Sequence, residues 1–114
     1  MHRLLCALVL LILLPLAPVH ADEPRVVAAK AVAGADGAWR FDVTVRHNDT
    51  GWDHYADGWE ILDGAGKVLA RRVLLHPHET EQPFTRSLTG VRLPAGLARV
   101  VLRAHDKVHG YGSV

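Results

Sequence analysis

Six histidines follow residue 21, and all of them fall in three short stretches: "RHNDTGWDHY" (46–55), "LLHPHETEQ" (74–82) and "AHDKVHGYG" (104–112). Histidine is the commonest metal-ligating side chain and binds zinc, copper or iron without help from a thiolate. In the last stretch His105 and His109 are four residues apart, and Asp106 and His109 three. An extended chain turns His105 and Asp106 to opposite faces, so a tight loop is needed to bring both onto one ion. Gly110 and Gly112 supply the backbone freedom for such a loop. In the first stretch His47 and His54 flank the six residues "NDTGWD", enough chain to return one imidazole to the other. The candidate ligand set is His47, His54 and His109, with either Asp106 or His105. Three neutral imidazoles and a carboxylate make a mononuclear site for one transition-metal ion (iron, copper or zinc) with room for water or substrate.

The middle stretch points less firmly to chemistry. His76 and His78 lie two apart around Pro77 and share one side of an extended chain, which suits joint coordination. The simpler reading is a strand end where proline stops the ladder and both histidines are exposed. Glu79 and Glu81 read as a solvated pair. Asp53 reads as a partner that orients His54 or caps a turn. Trp52, Tyr55 and Tyr111 either line a pocket or pack it, whereas Trp39, Phe41 and Trp59 read as core aromatics. No nucleophile arrangement suited to a hydrolase is present.

The elements that must position these loops read as strands and turns. In "AWRFDVTVRH" Trp39, Phe41, Val43 and Val45 alternate with Arg40, Asp42, Thr44 and Arg46, the pattern of a half-buried strand. "GWEILDGAGKVLARRVLLH" reads as two strands around the turn Asp63-Gly64-Ala65-Gly66. "RVVAAKAVA", "FTRSLTGVRL" and "ARVVLRAH" complete the set, and no helical stripe follows residue 21. This spacing predicts an all-β domain, a small antiparallel β-sandwich of immunoglobulin-like type. If successive strands alternate in direction, "GADG", "DGAG" and "PAG" gather at one end. The three histidine-bearing connections gather at the other, and loops at one end of a rigid sandwich are where binding sites are commonly built.

Length and composition bound the rest. The 114 residues suit one domain. Arg3, the apolar run "LLCALVLLILLPLAP" broken by Pro15, and Val19-His20-Ala21 read as a secretory signal peptide cut after Ala21, leaving a single domain over 22–114. Cys6 lies at the head of the apolar run and not at its end, which argues against lipid attachment there. Removing residues 1–21 takes away Arg3 alone among the charged residues, leaving 12 basic against 12 acidic side chains. Zero net charge excludes nucleic acid and an anionic membrane surface as expected partners. The only cysteine leaves with the signal, so the mature chain has neither disulfide nor thiolate. The expected location is periplasmic or secreted.

Over about Trp39 to Gly112 the chain resembles the iron-binding domain of superoxide reductases, the desulfoferrodoxin-like fold. That pattern has a histidine, then "H-Y" leading into a strand with "W-I-E-L", and ends in "C-N-x-H-G". Here His47 stands near the first position, His54-Tyr55 matches the pair, Trp59-Glu60-Ile61-Leu62 follows, and "D-K-V-H-G" matches the ending. The resemblance implies an immunoglobulin-like sandwich with a mononuclear iron at one end, His109 as a ligand and Asp106 in the cysteine's place. The family's early histidine has no counterpart in "DEPRVVAAKAVAG". A carboxylate is a harder donor than the thiolate that tunes that iron. The expected function is therefore metal binding at the histidine-rich end, with a one-electron redox role if the ion is redox-active and one position is open. The alternative is a metal-free module that recognises a periplasmic protein partner through Trp52, Tyr55 and the histidines.

Overall fold

The computed structural model describes residues 11–13 and 23–112. The proposed cleavage position after Ala21 lies outside the described residues, whereas Leu11–Leu13, within the segment read as a signal peptide, are described. The described residues form eight strands: β1 (Leu11–Leu13), β2 (Arg25–Ala33), β3 (Trp39–Arg46), β4 (Ala56–Leu62), β5 (Val68–Val73), β6 (Phe84–Val91), β7 (Arg99–Asp106) and β8 (Gly110–Tyr111). There is no helix among the described residues.

The strands form two sheets. One runs β1-β7-β4-β5, with β8 also on β7; the other runs β2-β3-β6. Every pairing is antiparallel except that of β1 with β7, where Leu11–Leu13 lies beside Arg99–Val101. The all-β sandwich expected from the strand pattern is therefore what forms.

The alternation in β3 explains the packing. Phe41, Val43 and Val45 are fully buried, while Arg40 and Arg46 face outward. From the other sheet Trp59, Ile61, Val100, Leu102 and Ala104 meet them, and Phe84 and Val91 complete the interior. Trp59 and Ile61 lie opposite Ala104 and Leu102 across the β4–β7 ladder, so large and small side chains share one face. A fully buried side chain of this size contributes about 1.5–3 kcal/mol relative to exposure.

The turns divide as strand direction requires. The connections 34–38, 63–67 and 92–98 lie at one end, and 47–55, 74–83 and 107–109 at the other. All six histidines after residue 21 belong to the second end.

Candidate metal centre

Asp106 is the last residue of β7, and its side chain is fully buried. One of its carboxylate oxygens, Oδ1, accepts the backbone N–H of Val108 at 2.8 Å and that of His109. Those bonds bend the chain sharply after β7 and return it as β8, with Gly110 at φ 76°. The turn is what brings the His109 ring back over the carboxylate.

The second oxygen, Asp106 Oδ2, faces three imidazoles. His47 Nε2 lies 2.9 Å away, His109 Nδ1 3.1 Å and His54 Nε2 3.4 Å. The rings also touch one another, with centroids 4.8 Å apart for His47 and His54 and 4.9 Å for His54 and His109. His47 comes directly off the end of β3. His54 is returned to it by a turn in which Thr50 N–H donates to the His54 carbonyl at 2.9 Å and Gly51 takes φ 116°.

Burial grades across the group. The His47 and Asp106 side chains are fully enclosed, His54 is 18% exposed and His109 38%. The cluster thus has a closed floor and one side open to solvent. Burial works against the Asp106 charge, but the His109 and Val108 amides, the His109 ring and the charge of His47 together hold its pKa below the ordinary carboxylate value. A carboxylate kept ionised beside imidazole nitrogens is an available oxygen ligand.

The donor spacing of His47, His54 and Asp106 suits one small cation, and His109 adds a nitrogen beside Asp106 Oδ2 from outside that set. Ligand atoms of His47, His54 and Asp106 all lie within 4.8 Å of one another. Two donors at ordinary zinc-ligand distances on a tetrahedral ion stand about 3.3 Å apart. The three nitrogen distances to Asp106 Oδ2 bracket that separation.

Of the residues the spacing singled out, His47, His54, Asp106 and His109 come together and His105 does not. His105 faces the opposite side of the sheet, where its Nδ1–H donates to Asp57 Oδ1 at 2.5 Å. With Tyr111, Glu60 and Arg71 it lines a separate cleft of about 260 Å³. The floor of that cleft is the buried Glu60, which accepts from Arg71, from Tyr111 Oη at 2.9 Å and from Arg103 Nε at 2.9 Å. Burial opposes its charge too, but these donors win and lower its pKa.

The "HPH" stretch departs from expectation for one of its two histidines. His76 is exposed, as a strand end would leave it, but His78 is buried. Its ring stacks on Phe84 at 3.8 Å between centroids, and Arg86 Nη2 donates to its Nε2 at 2.9 Å. Burial first, then the charge of Arg86, lowers the His78 pKa and keeps the ring neutral. It packs beside the cluster without joining it.

Asp49 is a functional candidate that the spacing of the histidines did not single out. Its carboxylate is fully buried and accepts the His47 Nδ1–H at 2.5 Å. The available signal was its position two residues after His47, on the same side of an extended chain.

No known protein-family profile and no solved structure matches this chain. A protein of Halomicrobium mukohataei named "Putative lipoprotein" is 47% identical over 90 residues. The matched region covers 79% of this chain and 44% of that relative, so the chain spans less than half of the relative's length.

Proposed function

We propose that this chain is an extracytoplasmic β-sandwich that binds one transition-metal ion through His47, His54, His109 and Asp106. The observation that carries the reading is the convergence of three imidazole nitrogens from two loops on a single buried carboxylate oxygen. The relative's name supports a location outside the cytoplasm. Three nitrogens and one oxygen without a thiolate suit zinc, iron or copper.

The open side at His54 and His109 leaves room for a water or a small ligand on the ion, as a catalytic or carrier site needs. If the ion is iron or copper, a one-electron role of the desulfoferrodoxin-like kind follows from the same site. Asp106 then takes the cysteine's place and makes the centre a weaker electron donor.

A second reading is supported by a different observation. Trp52, at the tip of the loop between His47 and His54, is 63% exposed. An exposed tryptophan on a rigid scaffold is a common anchor for a protein partner.

The test is the metal content of the exported protein, purified without a metal-affinity tag, beside a His54→Ala/His109→Ala double variant. About one equivalent of a single metal, lost in the variant, supports the first reading. A protein that is purified without metal and takes up no zinc, iron or copper on titration overturns it.

A further inference from the structure

Beneath the proposed ligands, one buried carboxylate is fully committed yet offers nothing to an ion. Asp49 Oδ1 accepts the His47 Nδ1–H at 2.5 Å and the Ala56 N–H at 3.0 Å. Its Oδ2 accepts the His78 N–H at 2.6 Å. One side chain thereby ties the end of β3, the start of β4 and the β5–β6 connection together. Gln82 makes a second tie, accepting the His47 N–H at 2.9 Å and donating to the His78 carbonyl at 2.9 Å.

An imidazole can present either nitrogen to an ion, and the hydrogen bond at the other nitrogen decides which. A carboxylate only accepts. Asp49 therefore holds the hydrogen on His47 Nδ1 and leaves Nε2 directed at the point shared with Asp106, 2.9 Å away. The His47 ring is wholly enclosed, so no solvent competes for that hydrogen bond.

We infer that Asp49 is the positioning residue of the histidine centre. It selects Nε2 as the ligating atom of His47 and holds the 74–83 connection against the ring. The inference rests on the metal-binding reading. Partners of this kind orient the ligand and raise its basicity, and their removal commonly costs about 10- to 100-fold in metal affinity.

The test uses cobalt(II) as a spectroscopic probe with the full mature chain and an Asp49→Asn variant. Asparagine keeps the size of the side chain and removes its charge. The expected result is cobalt affinity lowered by about 10- to 100-fold and a changed absorption spectrum, with thermal unfolding of the metal-free variant still cooperative. Equal affinity and an identical spectrum would overturn the inference and leave metal binding intact. Failure of the wild-type chain to bind cobalt or zinc at all counts against the metal-binding reading itself. Nitrogen-15 NMR of the histidine rings in the zinc-loaded wild type gives an answer that needs no variant. Hydrogen on His47 Nδ1 is expected, and hydrogen on Nε2 with zinc on Nδ1 refutes the assignment.

Discussion

His105 and Asp106 are adjacent in β7, and their side chains serve two separate polar clusters on opposite faces of one sheet. Asp106 points inward to His47, His54 and His109, and His105 points outward to Asp57. Strand alternation alone separates them. A single site that used both would need the strand to break between them, and it does not.

Asp106 is therefore the residue on which structure and proposed function meet. Asp106→Asn keeps the shape but takes the charge from a site that holds two backbone N–H groups and three rings. A loss of about 3 kcal/mol is expected, because partners of a buried charge are left without it. Urea unfolding should show a lower midpoint with an unchanged slope. Zinc binding should fall below detection. A variant as stable as the wild type would mean that the carboxylate does not anchor the turn.

The outer cluster gives a contrasting expectation. Glu60→Gln weakens the hold on Arg71 and Arg103, whose side chains are 57% and 26% exposed. A loss of about 1–2 kcal/mol is expected. Metal stoichiometry should be unchanged, since Glu60 lies on the opposite face from Asp106. A coupled loss of metal in Glu60→Gln would join two clusters that the fold keeps apart.

Acid should loosen both faces. The pKa values of Asp106 and Glu60 are lowered from 3.8 and 4.5. A carboxylate with a depressed folded pKa contributes stability that is complete above its unfolded value and is lost as pH falls through the folded one. The share of the two carboxylates should thus be complete above about pH 5 and decline below 4. The buried His78, whose pKa is lowered from 6.5, already costs stability as pH falls from 7 to 5, because the unfolded ring takes up a proton more readily. The urea midpoint in metal-free buffer would record both. A midpoint unchanged at pH 3 contradicts the assignment.

Much of this was legible in the sequence, and the limits have a physical cause. Phe41, Val43 and Val45 declare their face by alternation. The grouping of the histidines at one end follows from counting strand reversals. The fates of His78 and Glu60 do not follow, because they depend on partners brought in by other strands. Phe84 and Arg86 come from β6 to enclose His78, and Arg103 comes from β7 to meet Glu60. In "NDTGWD" Asp49 stands two residues after His47 and Asp53 one before His54, and the path of the loop makes Asp49 the buried partner of a histidine. The short β8 was hidden for a similar reason, since two residues carry no periodicity.

Gly112 offers a local test of the chain's last described turn. A Cβ at this position would collide with the Pro24 carbonyl oxygen, while the Gly112 N–H donates to the Ala104 carbonyl at 2.9 Å. Gly112→Ala must push the start of β2 away from the end of β8, an overpacking cost of about 1–3 kcal/mol. Gly64→Ala is the control, because its added methyl meets only the Arg99 side chain at 3.9 Å. Thermal unfolding should separate the two variants by several degrees. Equal melting temperatures would mean that Pro24 does not lie against this turn.

The last expectation concerns protons. In the metal-free chain His47 Nε2, His54 Nε2 and His109 Nδ1 all face a carboxylate oxygen, which accepts hydrogen bonds and donates none. A nitrogen that donates to Asp106 Oδ2 has its hydrogen where an ion would have to be, and at His47 that hydrogen cannot shift to Nδ1, which already donates to Asp49, so loading must release it. Metal binding is then coupled to proton release. Calorimetric titration with zinc in two buffers of different ionisation enthalpy should give different apparent heats, and affinity should weaken steadily as pH falls from 7 to 5. If the heats agree and the affinity is flat, His47 Nε2 carried no hydrogen in the metal-free protein. The His47 ring would then not be held between Asp49 and Asp106 in the metal-free protein as the distances of 2.5 and 2.9 Å require.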